Sequence, residues 1–181
     1  MYFPKKGSVN TEDAVVAALK KAKELGIKYI VVASNSGKTA ELLAGKGVNV
    51  VCVSHHVGFG KPGEDEMGAV ARKRLQELDI KVLTTTHLFA GIDRSLRNKF
   101  EGVYPAEIVS TTLRMFGQGV KVCLEISVMA LDAGLIPFGE EIISIGGTGR
   151  GADTACVIKP AHSSHFFDSK VKEIICMPRE H

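Results

Sequence analysis

Aromatic residues are scarce in this chain, which has no tryptophan, three tyrosines and eight phenylalanines among 181 residues. Proteins that bind single-stranded nucleic acid stack bases on aromatic side chains, and membrane proteins concentrate Trp and Tyr at the bilayer interfaces. The basic residues are also barely in excess, 23 against 20 acidic residues, and they form no continuous stripe. We therefore expect neither nucleic acid nor a membrane as a partner of this protein.

Long apolar segments are absent as well. The longest, residues 29–33 and 48–53, are far shorter than the roughly 20 residues that span a bilayer. The first six residues, Met-Tyr-Phe-Pro-Lys-Lys, are not followed by the apolar stretch of a signal peptide. The sequence therefore predicts no membrane span and a cytoplasmic location.

Cysteines at metal-binding or redox spacing are missing too, because Cys52, Cys123, Cys156 and Cys176 each stand alone in an apolar or amphipathic segment. We expect four buried, reduced thiols. A composition of 45% hydrophobic and 24% charged residues excludes a disordered chain, and 19 glycines without a triplet repeat exclude a collagen-like one. What remains is an ordinary globular protein.

Short apolar segments alternate with amphipathic ones along the chain. Asn10 and Gly26 bracket the first predicted helix as its N-cap and its stop. Strands are predicted at residues 28–33, 48–53, 80–84, 141–145, 153–158 and 171–177. Further helices are predicted from residue 38, and over 66–78, 105–115 and 120–133, whereas 87–100 is expected to be irregular. This rhythm predicts one domain over residues 1–181, a three-layer α/β/α sandwich around a mostly parallel sheet.

A turn rich in hydroxyl groups follows the first predicted strand. Its residues are Ser34, Asn35, Ser36, Gly37, Lys38 and Thr39. A helix beginning here would offer unpaired N–H groups to an anion and Lys38 would add positive charge, so we expect a phosphate cradle. The alternative is that Ser36 or Thr39 caps the helix while Gly37 permits a tight turn. A nucleotide-triphosphatase P-loop is disfavoured, because that motif requires glycine where Val32 stands.

A glycine-rich segment follows the fourth predicted strand. Residues 146–151 read Gly-Gly-Thr-Gly-Arg-Gly, and Asp153 lies just beyond them. This is no dinucleotide-binding fingerprint, because Thr154 stands where the third glycine is required and a strand follows. A flexible turn between strands is the simple explanation. Four glycines with an arginine exceed what a turn requires, so we expect this loop to face a ligand.

Histidines follow the second and third predicted strands, His55 and His56 in one loop and His87 in the other. Adjacent residues of an extended chain point apart, and no further ligand has suitable spacing, so a metal is not expected. Hydrogen bonding to a ligand, or simple loop polarity, is the expected role of these three side chains.

Catalytic groups are hard to find. There is no Gly-x-Ser-x-Gly elbow and no loop cysteine beside a base. Glu64, Asp65 and Glu66 are predicted to form the acidic first turn of the third helix. Glu125 lies in an apolar helical pattern, and its role stays open.

The two loops together resemble a known family. Residues 29–40, Tyr-Ile-Val-Val-Ala-Ser-Asn-Ser-Gly-Lys-Thr-Ala, and residues 141–149 are similar to the C-terminal α/β domain of pyruvate kinase, in a stand-alone, archaeal-type form. The resemblance implies a sheet order of 3-2-1-4-5, counting the predicted strands, with the fifth antiparallel and one extra C-terminal strand. It also implies that the two loops lie side by side.

The resemblance further implies a ligand. The 181 residues leave no room for the catalytic barrel of pyruvate kinase beside this sandwich, so pyruvate kinase activity is not expected. A phosphorylated small molecule is the implied ligand, and flavin mononucleotide (FMN) is the best single candidate. The implied contacts are Ser34, Asn35, Ser36, Gly37, Lys38, Thr39, His55, Phe59, Thr86, His87, Gly147, Thr148, Gly149, Arg150, Gly151 and Asp153. The alternatives are an enzyme or regulatory sensor acting on a sugar phosphate or other phosphorylated metabolite, or a module whose ligand stabilises a homo-oligomer.

Overall fold

A single mixed sheet of seven strands forms the centre of the protein. The structure, a computed structural model, describes residues 1–180. The strands are β1 (Tyr2–Phe3), β2 (Tyr29–Ala33), β3 (Asn49–Ser54), β4 (Lys81–Thr84), β5 (Ile142–Gly146), β6 (Thr154–Lys159) and β7 (Lys170–Pro178). Their order across the sheet is β1-β7-β6-β5-β2-β3-β4. Strand β2 is central and pairs in parallel with both β3 and β5.

The α/β sandwich predicted from the sequence is confirmed, and the strand order differs from the prediction in detail. Strands β4, β3, β2, β5 and β6 are neighbours in that order, with β6 antiparallel to β5. At one edge, β7 is antiparallel to β6 and is followed by β1, a two-residue strand that was not predicted. Strand β1 pairs in parallel with β7, with Tyr2 opposite Met177. The sheet therefore has two strands beyond the five whose order was predicted.

Helices cover both faces of the sheet. They are α1 (Thr11–Leu25), α2 (Lys38–Glu41), α3 (Gly68–Glu77), α4 (Ile92–Phe100), α5 (Pro105–Arg114) and α6 (Gln118–Asp132). Alternate strand residues point to opposite faces, so Ile30 and Val32 share a core with α1, α2 and α3, whereas Val31 shares one with α6. Helix α5 packs on the outside of α6, and α4 packs on α5.

The ends of α1 agree with the sequence only in part. Gly26 ends the helix in the left-handed conformation, at φ 69°, as predicted. Asn10 occupies the N-cap position, but its side-chain amide does not cap the helix. It donates instead to the carbonyls of Lys5 and Gly7, at 2.6 and 3.2 Å, and so fixes the segment that precedes the helix.

Two further predictions differ from the structure. The helix predicted from residue 38 begins there, but α2 has only four residues, and Gly45 and Gly47 beyond it adopt positive φ, 68° and 75°. Residues 87–100, predicted to be irregular, contain helix α4. This helix buries none of its residues; Ile92, Leu96 and Phe100 stand at the spacing of one helix face, but the six polar residues between them made the segment read as polar and irregular.

The four cysteines are free and buried, as predicted. Burial raises the pKa of the Cys52 thiol to about 12 and that of Cys176 to about 11, so both thiols stay protonated at neutral pH. None of the helices in the described part of the chain has the length and apolar content needed to cross a membrane.

Helix α6 lies unusually close to the sheet at its amino-terminal end. A Cβ atom on Gly119 would lie 2.0 Å from the Thr154 hydroxyl oxygen on β6. A Cβ atom on Gly146, at the end of β5, would lie 2.9 Å from the Gly119 carbonyl oxygen. Only glycine at both positions permits this separation, which brings the first turns of α6 to the edge of the sheet where β5 ends.

We predict that Gly119→Ala destabilises the protein by about 1–3 kcal/mol, because the added methyl group would push α6 away from Thr154. The free energy of unfolding in urea measures the change. Gly60→Ala is the matched control, since a Cβ there would have no neighbour closer than 3.8 Å. Equal stability of the two variants would contradict the prediction.

Candidate functional site

The carboxyl ends of the parallel strands bring the predicted loops to one edge of the sheet. Val32 pairs with Ile145 and Ala33 with Val53, so Ser34 leaves β2 between the ends of β5 and β3. The Ser34 backbone N–H donates to the Val53 carbonyl at 3.0 Å. In open α/β sheets ligands bind at this edge, where strands on either side of a central strand diverge.

The turn after β2 divides into buried and exposed residues. Ser34, Gly37 and Thr39 are buried, whereas Ser36 and Lys38 are exposed. Gly37 has φ 80°, and a Cβ there would lie 3.0 Å from the side chain of Leu75, which is fully buried. Glycine is therefore required at this position by the backbone and by packing. Ser36 and Lys38 remain as the side chains that a ligand can reach.

Asn35 joins this turn to the loop after β3. The His55 backbone N–H donates to Asn35 Oδ1 at 3.0 Å, and Asn35 Nδ2 lies 2.7 Å from His55 Nδ1. The same imidazole nitrogen lies 2.6 Å from a carboxylate oxygen of Glu66. Nδ1 can accept from Asn35 or donate to Glu66 but cannot do both, so the imidazole tautomer selects one of these partners, whereas the backbone bond to Asn35 is independent of it.

Four aromatic side chains, which we call the ring cluster, gather beside this link: His55, His56, Phe59 and His87. His55 stacks on Phe59 with ring centroids 3.7 Å apart. The other contacts in the cluster have centroid distances of 5.3 to 5.6 Å. The sequence predicted His55, Phe59 and His87 as site residues, and the structure brings all three together.

Burial governs the charge of His87. It lowers the pKa of the imidazole to about 4, and His55, His56 and Lys121 act in the same direction while Glu125 opposes them. His87 is therefore neutral at pH 7, with one nitrogen as a donor and the other as an acceptor.

The acidic residues before α3 do not form its first turn, so that prediction is wrong. Helix α3 begins only at Gly68. Asp65 forms a two-pronged pair with Arg72, at 2.8 and 3.1 Å, and this hydrogen bonding lowers the pKa of its carboxyl group. Arg72 also donates to the Thr84 hydroxyl at 2.8 Å. These bonds hold the loop after β3 against the end of β4.

The glycine-rich loop after β5 is tied to the amino-terminal segment. The carboxylate of Asp153, which is fully buried, accepts from the backbone N–H groups of Gly7 and Thr148 and from the Thr154 hydroxyl, at 2.8, 3.2 and 2.8 Å. A Cβ on Gly147 would lie 2.6 Å from the Gly151 carbonyl oxygen. Asp153 and Gly147 are therefore explained by packing and hydrogen bonding alone.

The other residues of this loop differ in character. Gly149 and Gly151 have positive φ, 76° and 73°, which a turn of this shape requires. Arg150 is exposed, and so is Thr86 in the loop after β4. Thr148 Oγ1 is buried, and no residue of the described chain is its hydrogen-bond partner. Arg150 and the Thr148 hydroxyl are the groups in this loop whose bonding capacity the fold leaves open.

Four cationic residues near His87 were missed by the sequence analysis: Arg94, Arg97, Arg114 and Lys121. They lie on α4, α5 and α6 and, with His87, line a polar cavity of about 120 Å³. Arg94 and Arg97 fell in the segment predicted to be irregular, and the others are far away in sequence. Spacing along the chain therefore gave no indication of this cluster.

A larger, open groove of about 560 Å³ lies at the opposite edge of the sheet. Its floor is apolar, with Ala22 and Ile27, and four lysines line it: Lys20, Lys23, Lys28 and Lys46. None of the predicted site residues contributes to it. Within residues 1–180, no three His, Cys, Asp or Glu side chains are grouped as metal ligands would be.

Comparison with known proteins assigns a family. The family model described as "Pyruvate kinase, alpha/beta domain" matches residues 12–158, most of the chain. The chain belongs to the pyruvate kinase alpha/beta domain family. Strands β1 and β7 lie outside the matched residues.

Solved structures similar to this family member include pyruvate kinases from Cryptosporidium parvum. One is 15% identical with a TM-score of 0.40, and the match covers 76% of this chain and 20% of that chain. Another, in complex with ADP, is 16% identical with a TM-score of 0.44, and the match covers 86% and 24%. The chain thus matches about a quarter or less of the length of these enzymes.

We predict that Asp153→Asn destabilises this pyruvate kinase alpha/beta domain by about 1–3 kcal/mol. One carboxylate oxygen, Oδ2, accepts from both backbone N–H groups, and Oδ1 accepts from the Thr154 hydroxyl. An amide would replace these charge-assisted hydrogen bonds with weaker neutral ones and would turn its NH2 group toward the Thr154 hydroxyl. Urea unfolding measures the loss, with faster hydrogen exchange at the Gly7 and Thr148 amides. Asp168→Asn, at an exposed position, is the control.

A second prediction concerns pH. Because folding lowers the pKa of His87 from 6.5 to about 4, the unfolded chain binds a proton there before the folded chain does. This contribution therefore makes the protein less stable as the pH falls from about 6.5 to about 4. His87→Gln should flatten the dependence of the unfolding free energy on pH in that window. His165→Gln, at an exposed position, should leave it as in the wild type, and identical profiles for all three proteins would refute the assignment.

Proposed function

We propose that the protein binds a phosphorylated small molecule at the carboxyl edge of its sheet, with FMN as the best single candidate. The observation that carries this proposal is the bond between Asn35, in the turn after β2, and His55, in the ring cluster. The turn that carries Ser36 and Lys38 is thereby joined to the loop that carries Phe59. A ligand with a phosphate at one end and a flat ring at the other matches both features.

The phosphate end would be held by Ser36 and Lys38. Both are exposed, whereas the other hydroxyl groups of the turn belong to buried residues. Helix α2 has four residues, so its dipole contributes little. The Lys38 ammonium group and the Ser36 hydroxyl therefore supply most of the attraction for the anion.

The ring end would rest on Phe59. This side chain stacks on His55, has the Arg94 guanidinium group 5.9 Å from its centroid and is 38% exposed, so part of its ring is accessible. The glycine-rich loop adds Arg150 and the buried, unpartnered Thr148 hydroxyl. A polar atom that the fold leaves without a partner supports contact with a ligand or a bound water at this loop.

Bound FMN would supply the redox chemistry, by accepting or donating electrons at its ring. The residues of this chain would bind and orient it. Neutral His87, which contacts Phe59 at 5.4 Å between centroids, offers one donor and one acceptor close to the ring position. The proposal includes no pyruvate kinase activity.

A comparison of FMN with riboflavin tests the phosphate end of the proposed ligand separately from its ring end. We expect FMN to bind with quenching of its fluorescence and riboflavin, which lacks the phosphate, to bind at least about tenfold more weakly, as the loss of a charge-assisted hydrogen bond predicts. Absence of FMN binding would refute flavin as the ligand. A rise in melting temperature with sugar phosphates instead would favour the metabolite sensor.

Single substitutions in the turn after β2 test where the phosphate group of FMN binds. Ser36→Asp and Lys38→Ala should each weaken FMN binding about tenfold or more, because they add a negative charge or remove a positive one at exposed positions. Lys46→Ala, which removes an exposed lysine at the opposite edge of the sheet, is the matched control. Normal FMN affinity in both turn variants would place the site elsewhere.

A further inference from the structure

The polar cavity between α4, α5 and α6 has an unusual balance of charge. Four cations line it, Arg94, Arg97, Arg114 and Lys121, together with two carboxylates, those of Glu107 and Glu125. Arg97 pairs with Glu107 and Lys121 pairs with Glu125. Two guanidinium groups, those of Arg94 and Arg114, are left without a carboxylate partner in the described part of the chain.

Neither of these guanidinium groups has its charge neutralised by its contacts. Arg114 donates to the side-chain oxygens of Gln118 and Ser110, at 2.7 and 3.3 Å, and both are neutral acceptors. Arg94 lies over the Phe59 ring, with its guanidinium carbon 5.9 Å from the centroid. The fold therefore brings two unneutralised positive charges to the mouth of one cavity.

The buried pair below them makes this arrangement costly. Lys121 and Glu125 have side chains only 9% and 7% exposed, and a buried ion pair recovers its desolvation cost only with good partners. Burial lowers the pKa of Lys121, Glu125 raises it, and Arg114 and Arg94 lower it further, so both guanidinium groups act on the buried ammonium group. An anion in the cavity would relieve this repulsion.

The size of the cavity restricts the anion. Sites for whole cofactors have volumes of about 300–1,000 Å³. At about 120 Å³, this cavity is suited to a single charged group with one or two waters. Planar guanidinium groups bind tetrahedral oxyanions through pairs of hydrogen bonds, and phosphate carries two negative charges to match the two unpaired guanidinium groups.

We propose that this cavity is a second anion site, which binds a phosphate group either as inorganic phosphate or as the end of a phosphomonoester. None of its lining residues belongs to the turn after β2, and it does not depend on the flavin proposal, although His87 borders both the cavity and the ring cluster. Arg94 and Arg114 would bind the phosphate oxygens directly, and the Lys121 ammonium group, paired with Glu125, would face them from below. The neutral His87 imidazole lines the same cavity and offers a further donor.

Inorganic phosphate is the probe for the experiment. Titration calorimetry with the wild-type protein, free of flavin, should show saturable binding at millimolar phosphate or below. Arg94→Gln and Arg114→Gln should each weaken it about tenfold or more. Arg94 has no hydrogen bond to a described residue, so Arg94→Gln should keep the wild-type unfolding midpoint and separates lost binding from lost folding.

Two controls distinguish this site from the turn after β2. Lys46→Ala removes an exposed cation at the opposite edge of the sheet and should bind phosphate as the wild type does, whereas Lys38→Ala should lose only phosphate bound at the turn and keep the binding that depends on Arg94 and Arg114. If Lys38→Ala abolishes phosphate binding while Arg94→Gln and Arg114→Gln retain it, the cavity is not the site. Absence of saturable phosphate binding by the wild type would also refute the proposal, whatever the result with FMN.

Bound phosphate should act on His87 as well. Its pKa should rise above about 4 when phosphate occupies the cavity, because a nearby anion favours the charged imidazole. The imidazole proton resonances, followed by NMR against pH with and without phosphate, measure this shift. The same titration in Arg94→Gln should show little change on adding phosphate, and an equal shift in both proteins would count against the site.

A phosphomonoester such as glycerol phosphate tests whether the bound phosphate group can belong to a larger molecule. Binding as tight as that of inorganic phosphate, and equally sensitive to Arg94→Gln, would show that the cavity accepts the end of a larger molecule. Binding of inorganic phosphate alone would limit the site to the free ion.

Discussion

The close contact of α6 with the sheet determines what can be built at the carboxyl edge. Because Gly119 and Gly146 lack side chains, the helix backbone reaches the ends of β5 and β6. Lys121 and Glu125, two and six residues after Gly119, are thereby held beside the segment that follows β4. The polar groups lie at the rim of an otherwise apolar layer, so the same contact that completes the core also places buried charges next to the candidate site.

Most of the strands could be predicted from the sequence because each is a short apolar run, and burial on both faces of a parallel sheet requires such a run. The errors have physical causes. Strand β1 has two residues and exists through its pairing with Met177 and Pro178, which a local pattern cannot show. Helix α4 buries no residue, and the six polar residues between Ile92, Leu96 and Phe100 concealed the helical spacing of these three apolar residues.

The parts of the candidate site that lie within a single loop could be predicted from the sequence. The turn after β2, the histidines and Phe59 were found because polar residues directly after a strand must lie at the same edge. The cavity cations were not found, because Arg94, Arg114 and Lys121 converge from three helices. Asp153 and Gly147 were predicted as ligand contacts, and the structure gives them partners within the chain, since a residue type suited to a ligand can equally satisfy backbone groups.

The two edges of the sheet have a consequence for association between copies. Strand β1 covers only the last residues of β7, and the first four residues of β7, which include Lys170, Lys172 and Glu173, are exposed. At the other edge, β4 is four residues long and begins with the exposed Lys81. Short, charged edges oppose the pairing of a further strand. The sheet therefore ends at seven strands, and aggregation by edge-to-edge strand addition is disfavoured on both sides.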